Sequence, residues 1–367
     1  MATLQKIVIQ DFRNIQLQEL SFSPNINCIS GGNGEGKTNL LDAIWYLSMT
    51  KSAFSASDRF NFRYGTSAFA LSGTYALPGG TTARFSIRVQ DGGQKSVRRD
   101  DKPYERISEH IGVLPIVMVS PADTAMVSEA GEERRKFVNA VLSQMEQPYL
   151  ADVQQYNRLL LQRNKLLKAG VFDEALLGTF DEQLAALAAP IYERRSAFCE
   201  RLVPVVQQYY AEISGGREQV GVEYRSDLQK GDLRDILRAH RDRDQVLKFT
   251  SAGVQRDDFL FTMDGHPIRR CGSQGQQKSF LVALKFAQYE IMKAAYGYPP
   301  IMLLDDLFDK LDMNRVGNLL RLVADKEFGQ IFLSDSNKVR TESIVDTLTA
   351  DRSYFETAGG VFTPVND

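Results

Sequence analysis

Residues 31–38 read GGNGEGKT, an instance of G-x-x-x-x-G-K-[ST], and this octapeptide constrains the chain more than any other feature. A glycine-rich turn of this kind lets backbone N–H groups curl toward a phosphate, and the helix that follows adds partial positive charge. The flanks fit that context. Residues 26–30 (INCIS) form a short apolar, β-branched run, and Leu40, Leu41, Ile44 and Leu47 then recur at helical spacing. The pattern is strand, glycine loop, helix. Lys37 is expected to reach the β/γ-phosphates of a nucleotide, with the Thr38 hydroxyl holding Mg2+.

Such a loop needs a metal-holding acid at the end of another buried strand. Residues 301–304 (IMLL) supply the strand, and Asp305 and Asp306 follow it directly. Ligands in open α/β sheets gather at that end of the strands. Asp305 is therefore expected to coordinate Mg2+, and Asp306 to orient or deprotonate the attacking water.

Around these two segments the texture alternates. Residues 4–10 read as a strand, 67–77 and 82–90 as a hairpin or meander, and 115–119 as a buried strand. Residues 276–295 and 311–325 read as helices, with 330–334 as another strand. This alternation implies a mainly parallel sheet flanked by helices. Between them, residues 131–213 carry apolar residues at three- and four-residue spacing, including Tyr149, Val153, Tyr156, Leu160 and Leu167. They read as long helices ended by Gly215-Gly216. The expected division is a head of residues 1–130 and 250–367 with a mainly helical insertion, 131–249. Within 250–267, Asp264-Gly265 reads as the turn of a hairpin.

A net charge of −2 confines any nucleic-acid contact to local patches. Arg158, Arg163, Lys165 and Lys168 cluster without an acid among them. Arg98 and Arg99 sit in a second, more diluted window with Lys95, Lys102 and Arg106, and a third window spans residues 234–248. Phosphate-backbone binding needs such clusters. With no RNP-type module of interleaved aromatics, contact is expected mainly with phosphates and largely independent of sequence. Three scattered cysteines (Cys28, Cys199, Cys271) and three scattered histidines suggest no zinc site. The N-terminal residues contain no long apolar stretch, and no run approaches the length of a membrane span. The expected location is the cytoplasm.

A further segment, 271–278 (CGSQGQQK), precedes a helix and offers a second anion site. One nucleotide rarely needs two helix N-termini of one chain, so the economical arrangement is a dimer in which one copy caps the γ-phosphate held by the other. The order of glycine loop, S-x-G-Q and apolar strand with Asp-Asp resembles ABC-type ATPase heads. More closely, the chain resembles the RecF family of bacterial recombination mediators. The carrying segments are DFRN (11–14), GGNGEGKTNLLDAI (31–44), SPAD (120–123), ERRKF (133–137), LLLQRNKLLK (159–168), RDDFLF (256–261), SQGQQKS (273–279) and LLDDLFDKLD (303–312).

The resemblance implies an α/β, ABC-type P-loop ATPase head with an inserted α-helical lobe. It implies an ATP-dependent DNA-binding protein that dimerises on Mg2+ and ATP, hydrolyses slowly and thereby releases DNA. Family members act at single-strand gaps and, with RecR and alongside RecO, help load RecA in repair and the SOS response. Carried over by position, the nucleotide residues are Gly31, Gly32, Asn33, Gly34, Glu35, Gly36, Lys37, Thr38, Ser273, Gln274, Gly275, Gln276 and Asp312, with Arg13 toward the phosphates. Departures are visible. Asp306 stands where transporter ATPases use Glu, Gly253-Val254-Gln255 replaces the family's Gly-Pro-His, and Ser334-Asp335-Ser336 follows the last core strand where transporters carry a histidine. The alternative is an ABC-type ATPase subunit of another machine, a transporter or a nuclease-coupled head.

Overall fold

The computed structural model describes residues 1–129, 131–170, 173–306, 328–338, 345–346, 349 and 351–365. Along the first third of the chain run β1 (Thr3–Phe12), β2 (Ile15–Ser21), β3 (Ile26–Ser30), α1 (Lys37–Met49), β4 (Ala68–Ala76), β5 (Thr82–Gln90), β6 (Lys95–Arg99), β7 (Lys102–Pro103) and β8 (Ile116–Val119). Then come α2 (Ala125–Ser128), α3 (Gly131–Met145), α4 (Gln147–Ala169), α5 (Glu174–Ser214), β9 (Val220–Arg225), α6 (Leu233–Ala239) and α7 (Arg241–Leu247). The chain continues through β10 (Asp258–Met263), β11 (His266–Pro267), α8 (Ile268–Cys271), α9 (Gln274–Tyr296), β12 (Ile301–Asp305), β13 (Ile331–Asp335), β14 (Arg352–Ala358) and β15 (Val361–Val365). The helix expected at 311–325 lies outside the described residues.

These elements form two compact units. The first comprises Met1–Thr124, Glu212–Gly215 and Gln274–Asp367, the second Ala125–Ala211 and Gly216–Ser273. In the first unit β15-β14-β3-β13-β12-β8 make one sheet, parallel except at β15. Every residue of β3, β12 and β13 is buried. Strands covered on both faces read as unbroken apolar runs, which is why these three stood out in the sequence. A second sheet, ordered β2-β1-β4-β5-β6-β7, is antiparallel. Its β4 and β5 alternate buried and partly exposed residues, the pattern of a sheet with one covered face. Helix α1 packs on strands of both sheets, with Leu40, Leu41, Ile44 and Leu47 fully buried.

In the second unit α3, α4 and α5 supply the helices read from the apolar periodicity. Helix α4 opens with Pro148 in its first turn and closes at Gly170 in the left-handed region (φ 72°), both favoured end residues. The unit also holds a three-stranded sheet, β11-β10-β9. Residues 250–273 stay with it rather than returning to the head at 250, because β10 pairs along its whole length with β9. Asp264 (φ 48°) and Gly265 (φ 78°) form the two-residue turn between β10 and β11, as their order predicts. No helix among the described residues is long and apolar enough to cross a membrane.

Candidate nucleotide site

Helix α1 begins at Lys37 with Gly36 as its N-cap, held at φ 111°. It has no side-chain cap and no acid in its first turn, so no side chain of its own first turn offsets the positive end of the helix. That is an anion site by construction. Two glycines are demanded here, Gly31 by space and Gly36 by its left-handed conformation. A Cβ on Gly31 would stand 2.6 Å from the Thr357 carbonyl, and one on Gly36 would stand 2.8 Å from the Asn14 amide. Loop 31–36 therefore threads between the β1–β2 turn and β14. The Glu35 carbonyl accepts from Gly360 N (2.9 Å), Thr357 Oγ1 (3.1 Å) and Asn14 Nδ2 (3.3 Å), while the Glu35 carboxylate accepts from Gly359 N. Asn14 in turn accepts from Asn39 Nδ2 at 2.7 Å.

Lys37 is buried, and its ammonium donates to the carbonyls of Gly31 (2.7 Å) and Gly32 (2.9 Å). Thr38 Oγ1 donates to both carboxylate oxygens of Asp305, at 3.1 and 2.9 Å. The parallel register brings Asp305 opposite Ser334 of β13, whose hydroxyl donates to Asp305 Oδ1 at 2.5 Å. Burial pushes the Asp305 carboxyl above its ordinary range, the two hydroxyls work against that shift, and the neighbouring Asp306 charge adds to it. No cation of the described residues forms an ion pair with Asp305. A hydroxyl and a carboxylate converging here, hard oxygen ligands both, are a donor set that fits Mg2+.

Asp306 occupies the left-handed region (φ 45°), a conformation that costs a residue with a Cβ about 1–3 kcal/mol and concentrates at functional sites. Its N–H donates to Ser334 O and Oγ, both at 3.2 Å, and its carbonyl accepts from Lys278 of α9 at 3.4 Å. Helix α9 is thereby joined to the end of β12. Gln274, Gly275 and Gln276 form the first turn of α9, braced by Ser279 Oγ donating to the Gly275 carbonyl (2.9 Å). Ser273 belongs to the second compact unit. Asp312 lies outside the described residues. The SPAD segment anchors α9 from the other side, with Asp123 paired to Lys285 at 2.8 Å and accepting from Ser120 N.

Arg13 also sits in the left-handed region (φ 53°). Its guanidinium pairs with the fully buried Asp42 of α1 at 2.7 Å and bonds Asn39, Ser52, Ser55 and Asn61. The arginine expected beside phosphate is thus stationed on a helix-borne carboxylate one turn into α1. Burial raises the Asp42 pKa and the Arg13 charge opposes the rise.

One residue of the basic windows is corrected. Arg163 is wholly buried, paired with Asp181 (2.9 Å) and Asp244 (2.8 Å) and bonded to Thr250, so it cannot meet DNA. The buried stripe of α4 is Tyr149, Tyr156, Leu159, Arg163 and Leu167; Arg163 falls four residues after Leu159, and reading Leu160 into the stripe hid it. Arg158, Lys165, Lys168, Arg98 and Arg99 are exposed. The RDD segment has a structural task. Asp257 accepts from Arg195 (2.5 Å) and Tyr224 (2.7 Å), and Gln255, at the position of the family's histidine, accepts from Tyr156 OH.

Known proteins resemble this chain over nearly its whole length. The AAA domain family matches residues 6–189. A DNA replication and repair protein RecF of Bacteroides fragilis is 38% identical over 365 residues, covering 99% of each chain. The RecF of Parabacteroides distasonis is 40% identical over 365 residues, covering 99% of this chain and all of the relative. A solved structure of the recombination mediator protein RecF with ATP, in the RecFOR pathway, superposes with a TM-score of 0.89 at 27% identity, covering 100% of this chain and 98% of that one. The Smc head domain of Pyrococcus furiosus shares the fold at a TM-score of 0.58 and 15% identity, covering 100% of this chain and 96% of that one. The architecture is that of an ABC-type ATPase head with an inserted, mainly helical lobe.

Proposed function

The chain belongs to the RecF family of DNA replication and repair proteins, and from that premise we propose that it is an ATP-operated DNA-binding switch working in the cytoplasm. ATP is the nucleotide on loop 31–38, as it is the nucleotide of the solved relative. Thr38 and Asp305 hold Mg2+, which when bound acts as a Lewis acid against the charge of the phosphates. Lys37 exchanges two backbone carbonyls for the β/γ-phosphates, Arg13 contributes a second cation, and Asp306 orients the attacking water. Ser273, Gln274, Gly275 and Gln276 of a second copy cap the γ-phosphate, with Asp312 at the same interface. Closure follows from ATP having more partners in the dimer than on one copy, and slow hydrolysis reopens it.

DNA contact falls on phosphates, independent of sequence, with Arg158, Lys165, Lys168, Arg98 and Arg99 as candidates. Single-stranded or gapped duplex DNA is the substrate, RecR the direct partner, and RecO and RecA act with it in repair and the SOS response. The single observation that carries the reading is the meeting of Thr38 and Asp305, 267 positions apart in sequence, at 2.9 Å. It makes the glycine loop and the acidic strand end one site.

Sedimentation with Mg-ATP, with and without gapped duplex, tests it. The wild type is expected to dimerise and retain DNA, Lys37→Ala to do neither, and Ser273→Arg to bind ATP yet stay single. A wild type that remains monomeric at saturating Mg-ATP, whether or not DNA is supplied, overturns the reading.

A further inference from the structure

The segment 58–64 (DRFNFRY) follows α1 and lies beside the β1–β2 turn. It is pinned along its length. Arg13 N donates to Asn61 O (2.8 Å), Arg63 N donates to Asp11 O (3.0 Å), and Phe62 bridges to Phe12 and packs on Phe69 with ring centroids 5.8 Å apart. At its start Asp58 is taken up by Lys95 and the Tyr46 hydroxyl, each at 2.7 Å. Inward residues thus fix the segment, and Asn61 is fully buried. The outward residues are Phe60, 68% exposed, and Tyr64, 100% exposed. Single exposed apolar residues are ordinary. Two large aromatics held outward on one rigid segment, with nothing of the described chain covering them, form a surface built to be covered.

Charge indicates what covers it. Arg59 is exposed and has no ion-pair partner among the described residues. Arg63 is ion-paired with Asp11 at 3.6 Å and keeps part of its side chain open, and the acid of the segment, Asp58, is already neutralised by Lys95. Two aromatic faces interleaved with two arginines match a single-stranded polynucleotide, whose bases stack and whose phosphates lie between them. The ring of a bound mononucleotide fits less well, because a base cleft would shield its platform and Tyr64 is wholly open. Lys95 also begins β6, the strand carrying Arg98 and Arg99, so the loop is tied to a basic strand of the same unit. We infer that Phe60 and Tyr64, flanked by Arg59 and Arg63, are a stacking platform for unpaired bases of single-stranded DNA. This rests on the DNA-binding reading above and adds base stacking to a contact expected from the sequence to involve mainly phosphates.

The test uses full-length protein carrying Tyr64→Trp, with Trp45 as the only other tryptophan, read against the wild type. Mg-ATP is added first, then either an oligothymidylate or a blunt duplex. Emission of the variant is expected to hold steady with Mg-ATP, to be quenched by the oligothymidylate, and to change little with the duplex. Phe60→Ala and Tyr64→Ala are each expected to weaken oligothymidylate binding about ten-fold, leaving ATP binding and duplex affinity unchanged. Quenching by Mg-ATP alone makes the platform an adenine site and overturns the inference. So does equal quenching by duplex, or unaltered oligothymidylate affinity in both alanine variants. If the wild type itself retains no DNA of any kind, the underlying DNA-binding reading fails as well, and the two failures are told apart by that arm.

Discussion

In the second unit, Arg163 is buried without any exposed surface, and Asp181 and Asp244 close on it within 3 Å. Arg195 is handled the same way by Asp257. In the first unit, Asp305 is also buried, yet its direct partners are two hydroxyls and it forms no ion pair among the described residues, the nearby Lys37 charge only easing the rise in pKa that burial causes. The Lys37 ammonium, also buried, sits on two carbonyls and no carboxylate. Removing a charge from water costs several kcal/mol unless a counter-charge offsets it. The second unit meets that cost with its own residues, whereas the first leaves it open at one place, where a metal and a phosphate would supply the missing charges. A closed buried pair holds a fold together; an open buried charge marks where a ligand belongs.

The sharpest way to break this contrast is to remove one charge from each unit. Asp305→Asn is expected to lower ATP turnover about 100- to 1000-fold while the nucleotide-free protein melts no lower than wild type, since a costly charge has gone. Arg163→Met is expected to do the reverse. It strands two carboxylates and should cost about 3–5 kcal/mol of stability, read by urea denaturation, with nucleotide affinity kept in the fraction that remains folded. Should Asp305→Asn destabilise as strongly as Arg163→Met, the distinction between open and closed charge collapses.

Acidity sharpens the same point with a smaller effect. The folded-state pKa of Asp305 is raised above its ordinary 3.8, chiefly by burial. Its contribution to stability is therefore fully present below the unfolded value and is lost as pH rises through the folded one. Asp42 shifts in the same direction, so the wild type alone does not isolate the effect. Urea midpoints in EDTA, taken from about pH 4 to about pH 8, should show the wild type losing ground to Asp305→Asn as pH rises. Parallel curves would mean that the Asp305 carboxylate is better solvated than its surroundings imply.

How much of this was legible in the sequence follows from how local each signal is. The loop 31–38 and the strand end at 305–306 are contiguous, and strands buried on both faces announce themselves as apolar runs. Strand β2 (IQLQELS) is polar at most positions and exposed along much of its length, so nothing in its pattern declared a sheet edge. Arg163 looked like one member of a basic window because its partners lie 18 and 81 positions away. Ser334 was noticed only as the lack of a histidine, although parallel pairing places it against Asp305. The aromatics at 60 and 64 carry no helical or strand period, and only their exposure distinguishes them from core residues such as Phe69.

The smallest effect concerns the brace under the loop, which no motif revealed. Glu35 lies 324 positions from Gly359, and the turn between β14 and β15 supports the loop through backbone groups and one carboxylate. Glu35→Gln keeps the Glu35 carbonyl and its three donors, so the loop should retain its path. What it removes is the charge on the oxygen that receives Gly359 N, a net change of about 1 kcal/mol. Titration with a fluorescent ATP analogue should then show affinity falling about five-fold, with single-turnover hydrolysis of bound ATP unchanged. The split matters because it separates support from chemistry. A brace that only holds the cradle alters how tightly nucleotide sits, whereas a group acting on the reacting phosphate would slow the bound-state step. A hydrolysis defect at unchanged affinity would therefore move Glu35 from the support of the loop into its chemistry, and with it the claim that the open charges at Lys37 and Asp305 are the ones that matter.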